Sequence, residues 1–310
     1  MANNLVDPPQ GARDYIEYST ENGRAYSTKG NYLFPIDEGE QDRLDRFHSF
    51  FVQIRQAMGS VRGLHARPIE NNAVLRVLDL GCGTGIWCNE MAELYPSAKV
   101  IGLDTCLRMQ PKLIPPGVSF QGQDITDPNW DLEKGSMDLI HMQLLGGCVA
   151  NWTTLYQTVF NHLKPGLGVF EHIEIDFRPF SKDGSLPQDA EIYRWTDQLY
   201  EAFDTHGKPL WPREDLASTL EELGFVEVEH QQQEIPFHPW PESEDQQDIG
   251  RWFNLGMQPA ISSMSRAPLM RYGNWRLEDL VLFENRVRLE ICTHSKRFSC
   301  TMHVWHARKP

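Results

Sequence analysis

The chain has no apolar run approaching the roughly 18 residues that a membrane-spanning helix needs, and its polar first residues lack the hydrophobic centre of a secretory signal. A protein working inside the cell, away from membranes, is expected. Positive charge is scarce: 29 lysines and arginines stand against 43 acids, a net charge of -14. A surface of that sign repels phosphate backbones, so no nucleic acid is expected as a partner. There is also no basic run of nuclear-signal type, which leaves nuclear and cytoplasmic locations both open. Cysteines are few and scattered, six in 310 residues without a C-x-x-C pair, which excludes a disulfide framework. The densest metal-like group is Cys292, His294, Cys300, His303 and His306. In a strand over 300–306, His303 points away from Cys300 and His306, so no metal is expected there. Internal repeats and low-complexity linkers are absent.

What is present begins at Val74, where an apolar strand runs into Gly81-Cys82-Gly83-Thr84-Gly85. Alternating glycines after a buried strand let the backbone turn tightly and approach a ligand, because no Cβ intervenes. The spacing is not that of a dinucleotide fingerprint, since Ile86 stands where its third glycine belongs, and the Lys and Ser/Thr of a P-loop are missing. Asp79, just before the loop, would oppose a phosphate but favour an ammonium group. A second strand over Lys99–Asp104 ends in an acid able to accept from two ribose hydroxyls. A third over Val118–Ile125 carries Asp124, placed for an adenine amino group, and Ile125, placed to pack on the ring. Together these describe adenosine without phosphate.

The rest of the chain alternates strand and helix, which predicts a mostly parallel sheet. Apolar spacing predicts helices over 40–58, 86–94, 155–163 and 216–223, and strands over 138–144, 168–175, 225–230 and 300–306. Two segments exceed what connections require: 177–211, with a helix over 190–203, and 236–297, with helices over 248–257 and 277–292. They are expected to cap a single catalytic domain over 39–310. Trp195, Trp211, Trp240, Trp252, Phe253, Tyr272 and Trp275 lie in them. Those rings serve either as walls of a substrate pocket or as the cap's own core or an interface.

The glycine loop after Val77-Leu78-Asp79-Leu80, Asp104 and Gln123-Asp124-Ile125 resembles the class I S-adenosylmethionine-dependent methyltransferases. More narrowly, Glu21-Asn22-Gly23-Arg24-Ala25-Tyr26, the acidic stretch Asp37 to Asp45, Asp138-Leu139-Ile140-His141-Met142 and Glu171-His172-Ile173-Glu174 resemble the fungal LaeA-like methyltransferases. The resemblance implies an α/β fold, a Rossmann-like seven-stranded sheet flanked by helices, with S-adenosylmethionine as cofactor and S-adenosylhomocysteine as product. The cofactor site is then expected at Asp79, Gly81, Cys82, Gly83, Thr84, Gly85, Asp104, Thr105, Asp124, Ile125 and Met142. Residues 1–38 are expected to form a lid, Arg24 pairing with the cofactor carboxylate and Tyr26 covering the methionine moiety. Methyl transfer needs alignment above all, and a base only where the acceptor must lose a proton. His172, near the ligand-binding end of its strand, and His141 are the candidates. The acceptor is either a small metabolite or a protein side chain. The alternative is a regulatory protein that binds S-adenosylmethionine and acts through protein partners.

Overall fold

The computed structural model describes residues 18–28, 32–65 and 74–310. It opens with a hairpin of β1 (Tyr18–Glu21) and β2 (Arg24–Ser27). Asn22 and Gly23 make its turn with φ of 51° and 78°, the left-handed pair that a tight hairpin demands. Helix α1 (Glu38–Ala57) follows, its first turn capped by Asp37, which accepts from the Glu40 N–H. Strands and helices then alternate through β3 (Arg76–Leu80), α2 (Ile86–Leu94), β4 (Lys99–Asp104), β5 (Val118–Gly122), β6 (Leu139–Gln143), α3 (Trp152–His162) and β7 (Val169–Phe180). The remainder comprises α4 (Glu191–His206), α5 (Leu216–Glu222), β8 (Val226–Pro236), α6 (Glu244–Arg271), α7 (Leu277–Glu290) and β9 (Ser299–Arg308).

Seven strands form one sheet in the order β5-β4-β3-β6-β7-β9-β8. All pair in parallel except β9, which is antiparallel to both neighbours. The chain steps outward from β3 to β5 and returns to place β6 beside β3. That reversal opens a crevice at the carboxyl ends of the strands, where open α/β sheets bind ligands.

Side-chain alternation divides the sheet between two cores. Leu78, Leu80, Ile140, Met142 and Phe170 pack on Trp152 and Tyr156 of α3 and on Leu216 and Leu220 of α5. Val77, Val100 and Leu139 pack on Trp87, Cys88 and Met91 of α2. A third core is built by the helices of the two long insertions together with α1, around Phe47, Phe50, Trp195, Phe253 and Phe283, and rests on Ile173, Ile175 and Met302 of the sheet. In β9, Cys300, Met302 and Val304 join this third core while Trp305 and Ala307 face the α3 side. His303 therefore points away from Cys300 and His306, as alternation requires. No helix among the described residues is long and apolar enough to cross a membrane.

Helix α6 departs from the sequence reading. It runs unbroken over 28 residues through Pro259 and Pro268, where a stop after Met257 is expected. Pro259 removes the hydrogen bond to the carbonyl four residues back, at Leu255, which lies on the exposed face where water can take the freed oxygen. Packing of α6 against α1, α4 and α7 then outweighs local propensity. None of the seven aromatic residues named in the insertions lines the cleft described below, and several are packed into the protein. Trp195 is fully buried and donates to Ser265 Oγ at 2.8 Å, and the Trp275 ring stacks on Phe283 with centroids 4.9 Å apart.

Helices α1 and α6 meet so closely at Gly256 that a Cβ there would lie 2.8 Å from two ring carbons of Phe47. Gly256→Val is therefore expected to destabilise the protein by about 1–3 kcal/mol, the scale of overpacking in a tight core. A denaturant melt unchanged from wild type would contradict this contact.

Candidate active site

A cleft with about 1220 Å³ of empty space, its open mouth included, lies over the ends of β3, β4 and β6 beneath α1. On the β4 side, Asp104 organises the floor. Its Oδ2 accepts from the Gly83 N–H at 2.9 Å and its Oδ1 from the Cys106 N–H at 2.7 Å. Burial raises its pKa to about 6, although those two bonds oppose the rise. Gly83 takes φ +53°, and a Cβ there would meet only Leu44, at 3.5 Å, so the loop shows bare backbone to the cleft. Gln123, Asp124, Ile125 and Thr126 continue this wall, because β5 ends at Gly122 and the chain turns over the cleft. Asp124 Oδ1 accepts from both the N–H and the hydroxyl of Thr126.

On the β3–β6 side the lining is Asp79, Trp87 and His141 from below and Leu44, Phe47 and His48 of α1 from above. Asp79 is 4% exposed and, among the described residues, takes only a thiol hydrogen bond, from Cys88 Sγ at 3.4 Å. Burial pushes its pKa up to about 8. An underpartnered buried acid attracts a cation, and the opposite wall suits a phosphate-free adenosine. The residues present thus fit S-adenosylmethionine. His141 Nδ1 lies 3.0 Å from Glu171 Oε1. Its ring stacks on Trp87 with centroids 4.2 Å apart, and burial lowers its pKa to about 4.

The remaining wall holds Tyr32, Gln143, Leu144, Leu145, Cys148 and Lys208. Glu174 fixes the turn beside it, accepting from the N–H groups of Leu145 and Gly146 at 2.7 and 3.1 Å.

Of the residues expected from sequence, Asp79, Gly81, Cys82, Gly83, Thr84, Asp104, Thr105, Asp124, Ile125 and His141 all line this cleft. Five others are placed elsewhere. His172 points to the opposite side of the sheet, with Nδ1 at 2.8 Å from Tyr156 Oη and Nε2 at 3.1 Å from Glu174 Oε1. Strand alternation puts it there, and it braces Glu174 rather than meeting a ligand. Met142 is buried in the α3-side core by the same alternation. Gly85 caps α2 at φ 73°, and a Cβ there would meet the Phe120 ring at 2.4 Å. Arg24 is held by Asp37 through two bonds of 2.7 and 2.8 Å, and its Nη1 donates to Ser263 Oγ at 3.3 Å. Tyr26 is 1% exposed beneath the Arg271 guanidinium, 5.2 Å from its ring centre. The hairpin is thus anchored to α1 and α6, and Tyr32, not Tyr26, reaches the cleft. Residues 1–17 of the expected lid lie outside the described residues. The sequence reading missed Tyr32, the α1 face of Leu44, Phe47 and His48, and Lys208. The helical spacing of the α1 residues marks a buried face without saying that part of it covers a ligand.

Two outcomes follow from the electrostatics. Asp104→Ala is expected to weaken S-adenosylmethionine binding by about 1–3 kcal/mol, the scale of hydrogen bonds to a charged acceptor, as read by calorimetry. For the ligand-free protein, an acid raised from 3.8 to about 8 binds its proton more tightly folded than unfolded. Stability must therefore fall as pH rises through that window. Asp104 follows the same sign only up to about 6. His141, lowered from 6.5 to about 4, has the opposite sign and is silent above 6.5. Between about 6.5 and 8 the fall belongs to Asp79 among these three, and Asp79→Asn should flatten it in chemical denaturation.

A family profile described as a methyltransferase domain matches residues 37–230. The chain is 36% identical to the secondary metabolism regulator LAE1 of Cochliobolus heterostrophus, over all of this chain and 99% of that protein. It is also 36% identical to the protein-methionine methyltransferase laeA of Emericella nidulans, over 95% of this chain and 77% of that one. Among solved structures, a putative methyltransferase from an antibiotic biosynthesis pathway of Anabaena variabilis has a TM-score of 0.50 at 14% identity, covering 82% of this chain and 98% of that one, a likeness of fold. The matched profile and the near full-length identity agree with the cleft, and the chain belongs to the S-adenosylmethionine-dependent methyltransferases, within the LaeA group of fungal secondary metabolism regulators.

Proposed function

We propose that the protein regulates by methylating another protein, and that the acceptor atom is the thioether sulfur of a methionine. The observation that carries this is the wall of the cleft left after the adenosine and ammonium sides are assigned. It is formed largely by Tyr32, Leu144, Leu145 and Cys148, with Phe47 above. An apolar wall suits a flexible, polarisable side chain such as methionine. The two histidines considered as bases do not suit a proton-losing acceptor. His172 is engaged at both nitrogens, and burial keeps the His141 ring weakly basic. A thioether has no proton to lose, so its methylation needs no base. A relative 36% identical is named a protein-methionine methyltransferase, which supports the same reading.

S-adenosylmethionine, when bound, would supply an electrophilic methyl group, the acceptor sulfur gaining the new S–C bond as S-adenosylhomocysteine leaves in line. The protein's share is alignment and exclusion of water. Tyr32, Phe47 and Leu144 shape the approach, while Glu174 holds the Leu145–Gly146 turn rigid. This chemistry asks for no metal.

The test is incubation with trideuteromethyl S-adenosylmethionine and a fungal extract lacking the protein, followed by separation of proteins from metabolites. Label should enter a protein and leave as deuterated dimethyl sulfide on heating in alkali, because a methionine sulfonium eliminates that thioether. Base-stable label, or label in metabolites alone, would refute the thioether acceptor. No label anywhere despite bound cofactor would refute the enzymatic reading.

A further inference from the structure

A row of alternating acids and bases crosses the sheet under the cleft. The register pairs Asp79 of β3 with His141 of β6, His141 with Glu171 of β7, and Glu171 with His306 of β9. Partners in register share a face, and all four side chains belong to buried residues, none more than 4% exposed. Glu171 is the hub. Its Oε1 is 3.0 Å from His141 Nδ1, and its Oε2 is 2.6 Å from Arg55 Nη2 and 2.9 Å from His306 Nε2. Burial works to raise its pKa, but the Arg55 charge and the two histidine bonds outweigh it and hold Glu171 well below the usual carboxylate range.

An ionised carboxylate only accepts, so the nitrogen facing it must donate. His141 consequently carries its proton on Nδ1, and its Nε2 has a lone pair. Trp87 holds the ring plane, with 6° between the two rings. No hydrogen bond to Nε2 occurs among the described residues, and the ring borders the cleft beside Asp79. Two acceptors thus stand side by side at the β3–β6 side, away from the adenosine wall on β4 and β5. A lone pair beside a buried carboxyl that gives up its proton when a positive charge arrives is a seat for a cationic N–H group.

We propose that Glu171, paired with Arg55, is a positioning residue that fixes His141 as an Nε2 acceptor for the ammonium group of the cofactor's methionine end. His141 is then a binding residue for the amino-acid half of the cofactor, not a base for the methyl acceptor. The inference rests on assigning S-adenosylmethionine to the cleft. It is independent of what is methylated, so failure of the thioether reading leaves it intact.

The discriminating probe is S-adenosylhomocysteine beside its analogue lacking the α-amino group. By calorimetry, the wild type should prefer the amine by about tenfold or more, the worth of one hydrogen bond with a charged donor. His141→Phe should shrink the preference several-fold, to the part that Asp79 carries, while leaving the deaminated analogue bound as in wild type, because only one contact to the amine is lost. Glu171→Gln keeps an acceptor for Nδ1–H and should retain most of the preference, whereas Glu171→Leu should lose it. Should these variants fail to fold, nitrogen NMR of the labelled wild-type histidines decides alone. His141 should be the Nδ1–H tautomer, with an Nε2 resonance that moves on adding S-adenosylhomocysteine and not on adding the deaminated analogue. An Nε2–H tautomer, an Nε2 signal that responds equally to both ligands, or an undiminished preference in a folded His141→Phe would overturn the proposal.

Discussion

The buried ion pair between Arg55 and Glu171 joins the helix that roofs the cleft to β7, inside the sheet. Both side chains are almost fully withdrawn from water, at 3% and 1% exposure. Breaking such a pair by removing one partner typically costs about 3–5 kcal/mol, since the other charge stays buried. Through Glu171 the pair also reaches His141 and His306, so one carboxylate ties together α1, β6, β7 and β9. The Arg55 guanidinium further donates to the Leu64 carbonyl at 2.8 Å, and Trp87 donates to the same oxygen at 3.0 Å. The roof, the floor and the aromatic side of the cleft therefore share a single polar knot.

Around that knot the structure separates support from chemistry. The long insertions bury Trp195 and Phe253 in a helical layer that grips α1 through Phe47, Phe50 and Phe253. Their influence on the cleft is indirect: α6 fixes where Phe47 sits, and the turn after α4 brings Lys208 to the mouth. The N-terminal hairpin adds a second clamp. Its Arg24 binds the Asp37 cap of α1 and reaches Ser263 of α6, and its Glu21 pairs with Arg271 at the far end of α6. Two motifs far apart in an elongated chain thus prove to be partners in one anchor.

Apart from Lys208 at the mouth, the charged groups lining the cleft are acids. Asp79 and Asp104 are both pushed up by burial, to about 8 and about 6. A cationic cofactor lowers the cost of burying such acids, because it brings positive charge beside them. Its product carries one positive charge fewer.

The cofactor half of the site was legible in the sequence because it is local. The glycine loop, Asp104 and Asp124 each follow directly on a strand, and strand ends in a parallel sheet converge on one crevice whatever the loops do. Helix α2 and strand β4 fall where the pattern places them for the same reason. The face on which a strand residue lands needs the register of its neighbours, and that is why His172 and Met142 lie away from the cleft that His141 borders. Arg24 and Tyr26 were misread because their partners, Asp37 and Arg271, come together only when the hairpin folds onto α1 and α6. The sequence by itself determined the sheet, the glycine loop and the adenosine acids, since short-range periodicity and turn chemistry suffice for them. Only the tertiary structure decided which histidine meets the cleft and which residues roof it, because those depend on contacts between segments that sequence spacing does not relate.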